Sequence, residues 1–196
     1  MLEKDDRTQK QQRILLELIG EGFFIGRRIV MTETKYSSFE NNVIAGDVIP
    51  QGLWYGIEAE EIKAIIENKG LLGNYIYDLD LDLKNILKIK NCREMENFYN
   101  EYKEEGSQLP SNSIFFSGEI VEKSYLISWL NVQKDYKGIE ISPYQWIIKY
   151  DYFWYYLWRI ACGCIFKKNA IKKMKLIAKF DEKKKEYRLY DKGKYL

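Results

Sequence analysis

From Thr8 to Ile19 the apolar positions Ile14, Leu15, Leu18 and Ile19 fall on one side of a helix, and Gly20 and Gly22 stop it. This pattern predicts a helical extension over residues 1–22, with residues 23–196 forming one domain. FFIGRRIVM reads as a strand, and KYSSFENNVIAGDVIP has the Ser, Asn and Gly content of a loop that ends at Pro50. GLWYG then reads as a short buried strand. In the helix that follows, EAEEIKAIIENKG, a stripe of Ala59, Ile62, Ile65 and Ile66 lies behind an acidic first turn, with Gly70 as the stop.

The next stretch, YDLDLDLKNILKIK, carries two periods. Leu79, Leu81 and Leu83 alternate like a strand, whereas Leu83, Ile86 and Leu87 repeat like a helix. SIFF is a second short apolar strand, and GEIVEKSYLISWL a helix with Ile120, Val121, Ser124, Tyr125, Ser128 and Trp129 near one side. GIEISPY and YFWYYLW supply further strands, rich in β-branched and aromatic residues. KLIAKF, the turn DEKK and KEYRLY read as a closing antiparallel hairpin. The fold class is therefore α+β.

Composition adds a limit. With 46% apolar and 15% aromatic residues in 196, the chain buries a sizeable core. Basic and acidic residues nearly balance, 31 against 29, so electrostatic recognition must come from their distribution. That distribution is uneven: Lys167 to Leu196 holds twelve basic and four acidic residues.

The absence of histidine removes the usual base near neutral pH, the Ser-His-Asp and Cys-His arrangements, and the commonest zinc ligand. Cys92, Cys162 and Cys164 are odd in number and make no disulfide framework, so they are expected to be reduced and mostly buried. Asp78, Asp80 and Asp82 lack the glycine and glutamate spacing of a calcium loop and read better as a solvated strand face or a helix start. The start MLEKDDRTQKQQR contains no apolar core of signal-peptide type, which points to a cytoplasmic setting. Tyr150 to Phe166, the longest apolar candidate, is interrupted by Asp151 and Arg159 and falls short of the ~20 residues of a membrane span, so no membrane is expected.

Three pieces carry chemistry in order: LWYG before a helix, SIFFS before a helix containing EKS, and EYRLYD as a last strand that begins with a glutamate. Together they resemble the ADP-ribosyltransferase fold, in the branch of poly(ADP-ribose) polymerases and diphtheria-type toxins. The resemblance covers about Leu53 to Asp191 and implies split antiparallel sheets with flanking helices, with NAD as the substrate and no metal. By its implied correspondence, Trp54, Tyr55 and Gly56 line the nicotinamide site, with Tyr55 where the family has histidine. Phe115 falls on the stacking tyrosine, Phe116 and Ser117 follow it, and Ser124 matches the helix serine. Glu186 matches the catalytic glutamate, which hydrogen-bonds the ribose and stabilises positive charge as the glycosidic bond breaks. Glu140, on its own strand, is a rival for that carboxylate.

The implied function is transfer of ADP-ribose from NAD to a protein or nucleic-acid acceptor, or hydrolysis of NAD. The alternative is a catalytically inactive nucleotide-, RNA- or protein-binding module on the same fold, using exposed aromatics and the lysine-rich end. A third reading is an unrelated α+β domain that acts through protein contacts.

Overall fold

The computed structural model describes residues 2–39, 48–104 and 125–190. Phe115, Phe116, Ser117 and Ser124 lie outside them, as do the SIFF strand and the first half of the helix expected after it. The protein is mixed α+β, with eight strands and four helices among the described residues. Its chain divides into two compact units: Met1–Ser38, Tyr55–Leu81 and Ile171–Leu196 in the first, Phe39–Trp54 and Asp82–Ala170 in the second.

The first unit is a sheet with helices on one face. Its strands are β1 (Arg28–Thr32), β2 (Leu53–Ile57, in this unit from Tyr55), β3 (Tyr75–Leu81), β7 (Ile171–Asp181) and β8 (Glu186–Leu189), in the spatial order β2, β1, β3, β7, β8. Each pairing in that series is antiparallel. Alternation decides what each face buries. Ile76, Ala178, Phe180 and Tyr187 point to the covered face, where they meet Leu15 and Leu18 of α1 (Leu2–Gly20) and Ala59 and Ile62 beside or within α2 (Glu60–Glu67).

The helix expected as an appendage is thus part of this core. Gln11, 2% exposed, donates to the Tyr187 hydroxyl at 3.3 Å, and that hydroxyl donates to the Gly73 carbonyl at 2.7 Å. Arg27 is also buried. It donates from Nε to the Phe23 carbonyl and from Nη1 to Asp78, each at 2.9 Å, and its guanidinium lies 5.0 Å from the Phe23 ring centre.

In the second unit β4 (Ile86–Ile89) pairs parallel with β5 (Gly138–Ile141), and β5 pairs antiparallel with β6 (Cys162–Ile165). The parallel pair requires a long crossover. Its described parts contain α3 (Cys92–Tyr102) and α4 (Trp129–Asp135). α3 opens on a reciprocal cap: Asn91 accepts from the Glu94 amide at 2.9 Å, and Glu94 accepts from the Lys90 amide at 2.6 Å. Met95, Phe98, Tyr99 and Tyr102 form its buried stripe.

The stretch YFWYYLW is not a strand. It runs as successive turns, with Tyr152, Trp154, Tyr155 and Trp158 buried in an aromatic core with Phe98 and Trp129. Six large rings on alternating sides of one strand would need two covered faces; turns bring four of them inward and leave Phe153 and Tyr156 half-buried. Cys162 and Cys164 are buried and reduced, as expected, while Cys92 is exposed.

The ambiguous aspartate-leucine stretch resolves as β3, a 3-10 turn over Leu83–Asn85, and β4. Two of its carboxylates have structural partners, Asp78 holding Arg27 and Asp82 accepting the Lys84 amide, while Asp80 is exposed. No described helix is long and apolar enough to cross a membrane.

Candidate functional site

The expected nicotinamide strand is present as β2, but its side chains face protein. Trp54 is half-buried, its ring 4.8 Å from that of Trp158. Tyr55 is 1% exposed. Gly56 lies where a Cβ would come within 2.7 Å of the Glu61 Cβ, and its amide donates to the Glu61 carboxylate. The close approach that this glycine permits is to its own following helix.

Glu186 opens β8, exposed, 4.0 Å from the Lys184 ammonium. Four strand spacings separate β8 from β2, which is about 19 Å at ~4.8 Å each. Strand order within the first unit therefore does not bring Glu186 together with Tyr55 and Gly56. Glu140 is 7% exposed on β5, opposite Lys88 of β4 and Gly163 of β6.

Glu61 is the carboxyl that sequence reasoning passed over. One of its oxygens is buried without a hydrogen-bond partner among the described residues, and burial pushes the carboxyl up to about 7 even though the Gly56 amide pulls it down. A signal existed: Glu61 stands four residues before Ile65, at the edge of the apolar stripe of α2. The folded protein binds a proton here between its ordinary value of 4.5 and about 7, where the unfolded chain has released it, so stability falls as pH rises through that window. The chain has no histidine to titrate there. Urea unfolding between pH 5 and pH 8 is expected to show a loss of about 2–3 kcal/mol. Glu61→Gln, the neutral isostere, should flatten that slope; an equal slope in the variant assigns it to other groups.

At the β7–β8 end, the opposite face of the first sheet offers a different constellation. Tyr75, Lys179 and Arg188 are register partners on three adjacent strands, so their side chains stand in one row. Lys179 lies 5.3 Å from the Tyr75 ring centre, and Arg188 lies 5.3 Å from that of Tyr190. Tyr77 stacks beside Tyr75 with centroids 6.4 Å apart. An open groove of about 630 Å³ runs along this row, bordered also by Lys35, Lys183, Glu33 and the hairpin turn.

Its charges are not balanced. Asp181 is engaged by the Lys183 and Lys184 amides at 2.9 and 3.2 Å, which hold its carboxyl below the ordinary range. Glu182 is engaged by Arg7 at 2.7 Å and Lys185 at 3.6 Å. Lys35, Lys179, Lys183 and Arg188 have no ion pair among the described residues. Four unpaired cations interleaved with tyrosine faces can hold phosphate while a planar ring stacks.

No family model, curated protein or solved structure matches this chain.

Proposed function

We propose that the protein is a nucleotide-binding module whose ligand, a nucleotide or a single strand of RNA, lies along the Tyr75–Lys179–Arg188 row. The observation that carries this reading is the row itself: cations without carboxylate partners alternate with accessible aromatic rings over a groove of about 630 Å³. Phosphates would meet Lys35, Lys179, Lys183 and Arg188, and bases would stack on Tyr75 and Tyr190. Stacking of a base on an aromatic ring contributes roughly 1–3 kcal/mol and tolerates any base.

ADP-ribose transfer from NAD stands as the second reading, favoured by one feature of the same face. Glu186 and Arg188 are two residues apart on β8 and share the outward side with Tyr190 close by. A dinucleotide held by Arg188 would bring a ribose within reach of the Glu186 carboxylate, and Trp54, Tyr55 and Gly56 would then act as scaffold. Breaking the nicotinamide-ribose bond needs a fixed negative charge beside the developing cation, and a carboxylate supplies it without metal or histidine.

Binding of labelled oligo(U), ATP and NAD, measured by fluorescence anisotropy at increasing salt, tests both. Oligo(U) affinity is expected to fall with a log–log salt slope of about −2 to −3, as three to four phosphates are neutralised. Lys179→Glu with Arg188→Glu should weaken it about a hundredfold, two charge reversals at contact distance; affinity unchanged by that pair rules out the row. Release of free nicotinamide from NAD by the native protein, abolished in Glu186→Gln, would establish the transferase reading, and its absence with binding intact leaves the module.

A further inference from the structure

The second unit carries a surface feature that the nucleotide reading does not use. Residues Trp146–Ile148 form a 3-10 turn that projects from the aromatic core. Trp146 is 66% exposed, Ile147 90%, Tyr150 47% and Leu157 41%. Trp146, Tyr150 and the neighbouring Tyr156 form one patch, because the Lys149 ammonium lies 5.5 Å from the Trp146 ring centre, 5.4 Å from that of Tyr150 and 5.7 Å from that of Tyr156.

The base of the patch is fixed. The Tyr144 ring sits 4.6 Å from Trp146 and 5.3 Å from Tyr155, and the Gln145 amide donates to the Tyr155 hydroxyl at 2.8 Å. Burial of Tyr152, Trp154, Tyr155 and Trp158 beneath it holds the turn outward. Such a tip is not what is left over when a core is full: Ile147 stands almost wholly in water and Trp146 about two-thirds so, on an anchored turn.

The charge around the tip is mainly positive. Lys149 and exposed Arg159 have no ion pair among the described residues. The Gln145 side chain donates to the Lys90 carbonyl at 3.0 Å, which brings the turn with exposed Lys90 and Arg93 alongside. Against these four cations stand Asp151 and Glu94, and Glu94 is occupied by the Lys90 amide.

We infer that this turn docks the protein on the surface of a bilayer containing anionic phospholipid. A branched aliphatic tip enters the acyl boundary, indole and phenol rings settle at headgroup depth, and a lysine beneath the rings meets lipid phosphate. The unpaired cations select an anionic surface. Docking of this kind lies on the membrane and needs no spanning helix.

Co-sedimentation with vesicles of phosphatidylcholine alone and with phosphatidylserine added tests the inference. Binding is expected only or mainly to the anionic vesicles. Trp146 is exposed, Trp54 half-buried and the other three tryptophans buried, so binding should shift tryptophan emission to shorter wavelength through Trp146. Ile147→Asp, at a position too exposed to disturb folding, should weaken vesicle binding about tenfold and remove the spectral shift, while Ile147→Leu retains both. The Lys179→Glu, Arg188→Glu protein should still bind vesicles, which separates this surface from the nucleotide face. No binding to anionic vesicles overturns the inference and leaves the turn to a protein partner. Binding unchanged by Ile147→Asp overturns it as well, since lysines elsewhere would then account for the attraction.

Discussion

Trp154→Ala is expected to cost about 3–5 kcal/mol and to lower the urea midpoint of the second unit by roughly 1–2 M. Trp154 is 0% exposed and stands at the centre of the aromatic core, with ring centres 5.1 Å from Phe98, 5.8 Å from Trp129, 5.5 Å from Tyr155 and 6.1 Å from Trp158. Removing the indole loses its transfer free energy and leaves a cavity whose walls are rigid rings, which collapse poorly.

Two features make the result readable. Every tryptophan belongs to the second unit, so tryptophan fluorescence reports that unit's unfolding. The Trp154 indole N–H has no hydrogen-bond partner among the described residues, so Trp154→Phe sacrifices no hydrogen bond and should cost under about 2 kcal/mol. Equal midpoints for the alanine variant and the native protein would mean that these rings do not pack as described.

In the first unit the largest effect is expected from Arg27→Ala, about 3 kcal/mol. Arg27 is 4% exposed, and its loss removes the bond to the Phe23 carbonyl and the cation over the Phe23 ring. It also strands Asp78, whose carboxylate is 22% exposed and 2.9 Å from the guanidinium. Breaking one side of a largely buried pair leaves a charge without compensation, which costs more than the pair contributes when intact. Arg27→Met with Asp78→Asn should therefore be more stable than Arg27→Ala alone. Amide exchange in β1 and β3 is the measurement, because Arg27 directly precedes β1 and Asp78 lies in β3; exchange as slow in Arg27→Ala as in the native protein would show the pair to be dispensable.

Local pattern decided much of the chain. The alternation in KLIAKF and KEYRLY specified β7 and β8, the apolar stripe after LWYG specified α2, and the leucines and isoleucines of the first helix specified its buried side. Met95, Phe98, Tyr99 and Tyr102 of α3 also repeat at helical spacing, but the acidic and amide residues between them obscure that period, and no helix is expected there from the sequence alone. Each of these features is set by residues within one or two turns of each other, where side-chain periodicity and backbone geometry are the same fact.

Tertiary structure alone decided what those elements face. Tyr55 and Gly56 end a strand before a helix, as their sequence implies, yet the strand order β2, β1, β3, β7, β8 puts four strand spacings, about 19 Å, between that strand and the one that Glu186 opens. No local period encodes which strands are neighbours; that follows from which faces can be buried together across the whole chain. Seven residues as aromatic as YFWYYLW read as a strand by propensity, and they became turns because one core could take Tyr152, Trp154, Tyr155 and Trp158 together only from a curled backbone. The same competition for burial left Tyr75, Lys179 and Arg188 side by side on the opposite face and Ile147 in water, and it placed the Glu61 carboxyl where its charge is disfavoured. The sequence determined which helices and strands form; the packing of one face against another determined which of their side chains remain available for chemistry.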